Sequence, residues 1–332
     1  MAKRNSFTYK LSGSQQAVLT RILKTGNYRP ARVEHTTIAA RTPDCTINLY
    51  KSGKCLVQGK GAEDFVTFVL EPQVLQSVGL GYDDLLDPDA SKPHMGVDES
   101  GKGDFFGPIV ISAVYVDDKL VRAMREMDVK DSKNITSDKK ILGLGRDLRK
   151  LLGKRFTVVK IGPEAYNRLY AKMRNVNTLL GWAHARAIEN LLDEVPSCPR
   201  AVSDQFGKKE QVSNSLMKKG KKIELVQRHK AESDIAVAAA SILAREEFVR
   251  ALLWMEKDYE LSFPKGASDA VKSTAVQLAE KHGLEILLKT AKCHFKTTDA
   301  VLGKLGKDRS VLGPEGQAVS KTGSRYRPNR NG

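Results

Sequence analysis

The sequence predicts an α/β protein, a mixed sheet flanked by helices, preceded by a smaller α+β domain. Three observations lead there. From Met95 onward, β-branched apolar runs alternate with amphipathic stretches of helical period. Ahead of them, residues 1–80 carry a hairpin signal between two short strands and two helical stretches. Between the two lies GLGYDDLLDPDASKP, acidic and rich in turn formers, which reads as a linker over 81–93. At 332 residues the chain is long enough to bury two cores.

Taken in order, Phe7 to Leu11 alternates as a strand, and Ser14 to Thr25 is an amphipathic helix capped by Ser14. Thr46 to Tyr50 and Cys55 to Gln58 are strands joined by the turn Lys51 to Lys54, and Phe65 to Leu70 opens a second helix. This part is similar to the small helix-and-sheet half of the TATA-box-binding-protein fold. The larger domain, 94–305, begins with Met95 to Val116, read as strand, glycine turn, strand. Helices are expected at Lys119 to Met127 and Ser137 to Leu152, with a polar loop holding Asp131, Ser132 and Lys133 between them. Arg155 to Ile161 is a strand, and Pro163 starts a helix at a position where its missing N–H costs little. A longer helix, Thr178 to Glu194, buries an apolar stripe on which His184 reads as a packed or hydrogen-bonded core residue. Strands follow at Arg200 to Asp204 and Lys222 to Gln227, then helices from Asp234 and over Ala267 to Lys281. Residues 306–332, basic and poor in apolar side chains, are expected to form a disordered tail.

Composition narrows the function. The chain has 55 Lys and Arg against 39 Asp and Glu, a net charge of +16, which points to a polyanionic partner. Its four cysteines are scattered, which argues against a zinc site or a disulfide framework and for a reducing compartment. No signal-peptide core and no apolar run near the ~20 residues of a membrane span occur. A cytoplasmic, soluble monomer is the expectation.

The chemistry centres on MGVDESGKGDFFGPIVISAVYV. Adjacent acids, Asp98 and Glu99, close an apolar lead-in and precede the turn Gly101, Lys102, Gly103. The spacing from Gly96 to Lys102 fits a nucleotide-binding P-loop, but Gly103 stands where Ser or Thr is needed, and two carboxylates inside the loop would repel phosphates. That reading is rejected. Acids on a buried strand call for a compensating cation. Asp98, Glu99 and Asp204 fall at strand ends and Asp234 at a helix start, places that one sheet edge can bring together. Oxygen ligands suit magnesium or manganese, and two such ions would hold both the attacking water and the leaving oxygen of a phosphodiester. Each acid also has a plainer reading: Asp234 as a helix cap, Asp204 as a turn residue. The lysines 208, 209, 218, 219, 221 and 222 are either a solvated face or a backbone-binding patch beside Asp204.

These residues resemble ribonuclease HIII. The likeness rests on DESGKGDFFGP, then DSK at Asp131 to Lys133, GPEAYNRLY, NVNTLLGWAHARAIENLL, SDQF, HKAESDIAVAAASILAR and HFKTT in order, together with YKSGK in the smaller domain. It implies a ribonuclease H-like fold and cleavage of the RNA strand of RNA–DNA hybrids by two ions, Mg2+ or Mn2+, leaving 5′-phosphate and 3′-hydroxyl ends. It implies that Asp98, Glu99, Asp204 and Asp234 hold the ions, with Asp98 between them. Ser100, Gly101, Lys102 and Gly103 would read ribose 2′-hydroxyls through the main chain. Lys133 and Arg245 would contact phosphates, and Tyr50, Lys51 and Lys54 would bind hybrid. The alternatives are a ribonuclease HII-like enzyme incising single ribonucleotides, a hybrid-binding protein without catalysis, and a DNA-processing nuclease of the same fold. Type HII enzymes use a Gly-Arg-Gly turn with a tyrosine; here the turn carries Lys, and AKCHFKTTDAVLG holds no tyrosine. Cleavage within runs of ribonucleotides is therefore expected.

Overall fold

The computed structural model describes residues 5–75, 92–127, 129, 135–204, 210–228 and 231–319. Most of the expected linker, Lys133, Lys208, Lys209 and the segment 320–332 lie outside them. The chain divides into two compact units, Met1–Ala90 and Ser91–Gly332.

In the first unit, β1 (Ser6–Lys10), β5 (Lys54–Gln58), β4 (Thr46–Tyr50), β3 (Thr36–Arg41) and β2 (Arg29–Ala31) form one antiparallel sheet in that spatial order. Helix α1 (Gly13–Thr25) and a second helical segment, α2 (Ala62–Phe65) running on as a π-helix over Val66–Leu75, pack Leu19, Leu23, Phe65 and Leu70 onto Phe7, Ile47, Leu49 and Val57. Two expectations are corrected and two strands are added. The cap of α1 is Ser12, not Ser14: its hydroxyl accepts from Gln15 N while Gln15 Oε1 accepts from Ser12 N at 2.9 Å, a reciprocal box. The second helical segment starts at Ala62 rather than Phe65. Strands β2 and β3 were not foreseen, because β2 is three residues long with a central proline and β3 mixes Thr and Ala.

The second unit is built on a mixed sheet of order β10-β9-β6-β7-β8. Strands β6 (His94–Ser100), β9 (Arg200–Asp204) and β10 (Glu224–Arg228) are parallel, while β7 (Ile109–Val116) and β8 (Phe156–Ile161) continue antiparallel. Helices α3 (Asp118–Glu126), α4 (Asp138–Leu152), α5 (Pro163–Met173) and α6 (Val176–Glu194) lie between β7 and β9 in the chain. One face of the sheet buries Met95, Val97 and Ala201 against α6. The other faces α8 (Ile235–Tyr259), which follows the short α7 (Glu210–Ser213). Gly96 lets α8 come this close, since a Cβ there would sit 2.1 Å from Val237 N. Helices α9 (Asp269–His282), α10 (Ile286–Thr290), α11 (Lys296–Lys304) and α12 (Gly313–Gln317) complete the unit.

The expected tail from residue 306 is corrected over 306–319. Leu312 and Ala318 are buried, and the Arg309 guanidinium donates to Asp299 and to the carbonyls of Cys293, Phe295 and Gly316. Two apolar anchors and one multiply bonded arginine order a segment whose average composition looks structureless.

Candidate active site

Strand β6 aims alternate side chains at the two helix layers, and this alternation separates the paired acids. Asp98 turns to the α8 face, where the Ser241 hydroxyl bonds its carboxylate and Glu99 N donates to Oδ1 at 2.8 Å. Glu99 turns to the α6 face. There its Oε2 lies 3.1 Å from His184 Nε2, and its Oε1 is 3.6 Å from Lys102 Nζ. The parallel register pairs Val97 with Ser203, so one residue on Asp98 and Asp204 leave their strands side by side. Asp204 Oδ1 is reached by Ala231 N at 3.5 Å, from the 3₁₀ turn Ala231–Ser233 that leads into α8.

Electrostatics distinguish the pair. Burial, and then the neighbouring Glu99 charge, push the Asp98 carboxyl up to about 6, against the pull of Ser241 and His184. Burial also acts upward on Glu99, but the hydrogen bond and charge of His184, with Lys102, outweigh it and leave its pKa below the ordinary value. His184 is thus core, as read, and also the partner that fixes Glu99.

Asp234 is not with these acids. Helix α8 runs alongside β6 in the same direction, so Ser241 meets Asp98, Ala236 and Val237 meet Gly96, and Asp234 stands at the far end beside His94. Its Oδ1 accepts from Ala236 N at 2.9 Å and Val237 N at 3.2 Å, and both carboxylate oxygens lie 3.1 Å from His94 Nε2. Of the four acids expected to converge, Asp98, Glu99 and Asp204 stand at adjoining strand ends, with Asp98 and Glu99 on opposite faces, while Asp234 stands apart as the cap of α8. Among the described residues, no group of three His, Cys, Asp or Glu side chains is arranged as a ready metal cage.

The turn after the acids has the backbone its glycines permit. Gly101 has φ +88°, and a Cβ on it would lie 2.3 Å from Pro108 O. Gly103 is exposed and Ser100 half-buried beside it. Arg245 is half-buried on α8, four residues and so about one turn beyond Ser241. Of the lysine cluster, 218, 219, 221 and 222 are described. They precede β10, whose first residue Glu224 pairs with Arg200, so they stand at the sheet end opposite Asp204. A role beside that acid is corrected for those four.

In the first unit, parity puts Tyr50 and Lys54 on the sheet face away from the helices, with Lys51 in the exposed turn between them. Lys10, paired with Lys54, and Arg41, paired with Arg29, join that face. Sequence reading missed Arg29 and Arg41 with the strands that carry them, and missed Lys10 although its strand was foreseen. It missed Ser241 too, although its spacing of seven residues from Asp234 put it on the same helix face.

A mixed sheet with carboxylates at the adjoining ends of its central parallel strands, beside a left-handed glycine turn, defines a cation-dependent hydrolase of the nuclease class. The comparisons agree. The family model "Ribonuclease HII" matches residues 95–298, and "Domain of unknown function (DUF3378)" matches residues 7–77. Ribonuclease HIII of Chlamydia pneumoniae is 42% identical over 297 residues, 89% of this chain and 97% of the relative. That of Protochlamydia amoebophila (strain UWE25) is 42% identical over 277 residues, 82% and 89% of the two chains. Among solved structures, Bst-RNase HIII in complex with Mn2+ is similar with a TM-score of 0.61 and 27% identity, covering 90% of this chain and 98% of its own. The chain belongs to the ribonuclease HIII family, as its motifs foretold. No helix among the described residues is long and apolar enough to cross a membrane.

Proposed function

We propose that this chain hydrolyses the RNA strand of RNA–DNA hybrids at the edge where β6 and β9 end, with Mg2+ or Mn2+ held by Asp98, Glu99 and Asp204. The observation that carries this is the side-by-side exit of Asp98 and Asp204 from parallel strands, with Glu99 fixed by His184. The donor set fits a hard divalent ion: it is all carboxylate oxygen, and the raised pKa of Asp98 marks negative charge in need of a cation. An incomplete protein cage also fits, since magnesium keeps waters and substrate phosphates among its ligands. The relative crystallised with Mn2+ supports the same ion class here. When bound, the ions supply an activated water and stabilise charge on the phosphate.

The chain's own residues do the rest. His184 and Lys102 keep Glu99 ionised, Ser241 orients Asp98, and the backbone of Ser100 to Gly103 reads 2′-hydroxyls. Arg245 contacts a phosphate, and the face bearing Tyr50, Lys54, Lys10 and Arg41 binds the duplex backbone together with Lys51.

The test compares four substrates in one Mg2+ buffer and again with Mn2+: a hybrid, an all-DNA duplex, an all-RNA duplex, and a DNA duplex with one embedded ribonucleotide. Efficient cleavage of the hybrid, with poor cleavage of the other three, is expected. Equal cleavage of the single-ribonucleotide duplex would replace this reading with the type HII alternative, and no cleavage with either ion would leave hybrid binding alone.

A further inference from the structure

Among the described residues of the second unit, one lysine is wholly buried and enters no described ion pair. Lys292 is 0% exposed, and its Nζ donates to two successive carbonyls, Gly107 O at 2.6 Å and Phe106 O at 3.1 Å. Burial alone drives its pKa down, to about 7, with only a partial offset from Asp104. An ammonium kept in such a place is costly unless it satisfies something equally costly to leave bare. Here that is a pair of buried carbonyls which an extended strand would point in opposite directions. Gly107 has φ +76°, and this left-handed step turns them to one side.

The surrounding contacts show what the lysine restrains. Residues 290–292 pair with the loop that follows the glycine turn: Gly107 N donates to Thr290 O, Lys292 N donates to Phe105 O, and Phe106 bridges Ala291. A second mooring sits at the loop's front, where Asp104 Oδ1 accepts from Gly266 N at 2.6 Å and Phe105 N donates to Gly266 O at 2.8 Å. From Gly107 the chain passes through Pro108, whose carbonyl is the atom a Cβ on Gly101 would strike at 2.3 Å. Gly101 therefore rests on the segment that Lys292 holds. A shift of the 106–108 carbonyls has no slack to disappear into before it reaches the turn.

We propose that Lys292 is a positioning residue for 2′-hydroxyl recognition: by clamping the carbonyls of Phe106 and Gly107 it sets the height of the Gly101–Gly103 turn against the substrate's sugar. This rests on the reading of that turn as the ribose sensor, and the experiment separates the two. A short hybrid with one designated scissile bond is compared with the same duplex carrying 2′-deoxyribose at the nucleotides flanking that bond. The quantity read is the ratio of kcat/KM on the two substrates, for the wild type, Lys292→Met and Lys292→Gln. A loss of folded enzyme lowers both rates alike and leaves the ratio unmoved.

Lys292→Met removes the donor, and the ratio is expected to contract about tenfold. Lys292→Gln retains an amide donor of shorter reach, and is expected to recover most of the wild-type ratio. Should Lys292→Met fail to fold, Asp104→Ala releases the other mooring of the same loop, and a contraction of about threefold is expected. An unchanged ratio in the folded variants overturns the role of Lys292 while leaving the sensor intact. A wild-type ratio near one overturns the sensor reading itself, and this inference with it.

Discussion

The two ends of strand β6 carry the same pair of groups put to different uses. At one end His184 meets Glu99 at 3.1 Å; at the other His94 meets Asp234 at 3.1 Å, and both imidazoles are fully buried. The difference lies in what each carboxylate has left to give. Asp234 accepts from two backbone amides and from His94, and its side chain is 3% exposed. Glu99 has one oxygen on His184 and the other only within 3.6 Å of Lys102, at 12% exposure, with Asp98 next in the chain and Asp204 across the register. A saturated carboxylate is a strut, and one with spare lone pairs beside other acids is a ligand. Residue type and a neighbouring histidine do not tell them apart.

The largest expected effect comes from the open end. Asp98→Asn should lower kcat by roughly a thousandfold or more while hybrid affinity stays within about threefold, because phosphate contacts rather than this carboxylate supply most of the binding. Cleavage kinetics and fluorescence anisotropy at fixed salt decide it, and turnover near wild type would remove Asp98 from the mechanism. The same residue sets a pH limit. With its carboxyl at about 6 in the metal-free protein, protons compete with the cation below that pH. Mn2+ affinity, followed by calorimetry, should fall by about tenfold per pH unit under pH 6 and level off above it. The stability linkage has the opposite sign to that of a salt-bridged acid. The folded state holds this proton more tightly than the unfolded chain, so the metal-free protein loses stability as pH rises from about 4 through about 6.

A sharper division of the two ends comes from paired amides. Asn caps a helix nearly as well as Asp, so Asp234→Asn should keep the fold, Mn2+ binding and activity within about threefold. Asp204→Asn should lower activity by roughly a hundredfold with the melting temperature almost unchanged. If Asp234→Asn abolishes metal binding instead, the comparison between the ends collapses and the four-acid site first read from the sequence returns.

Why one end was legible in sequence and the other was not follows from what local pattern encodes. Asp98-Glu99 stands out because an acid pair between Val97 and a glycine turn is costly to bury without a cation, and the apolar run Ile109–Val116 announces the neighbouring strand. Asp204 is readable as the last residue of a short apolar strand. The placement of Asp234 depends on how far α8 slides along β6, and that offset is set by the close approach at Gly96, a tertiary fact with no local signature. The faces of Asp98 and Glu99 were likewise hidden, since the glycines that follow do not show where the strand stops; it runs through Ser100. In the first unit the hairpin was visible in Lys-Ser-Gly-Lys, whereas β2 and β3 owe their pairing to the sheet already formed. The order of residues 306–319 hangs on Arg309, and average composition cannot reveal one well-bonded residue.

The smallest effect expected is also the one that tests the histidines directly. Among the influences that hold the Glu99 pKa below its ordinary value, those of His184 rank ahead of Lys102, while burial pulls upward. Replacing His184 with Asn removes the larger of the two downward influences and leaves Lys102 alone against burial, so the Glu99 pKa rises. A group with a depressed folded pKa contributes stability above its unfolded value and loses it as pH falls. In His184→Asn that contribution disappears, and the acid limb of the rate profile moves to higher pH. The ratio of variant to wild-type kcat/KM should therefore be several-fold lower at pH 6 than at pH 8. His94→Asn touches only the strut: it should lower the melting temperature by several degrees, through loss of the bonds to Asp234 and to Lys92 O, and leave the limb in place. A displaced limb in His94→Asn, or an unmoved one in His184→Asn, would mean that the two histidines are not divided between ligand and strut as the two ends of β6 divide them.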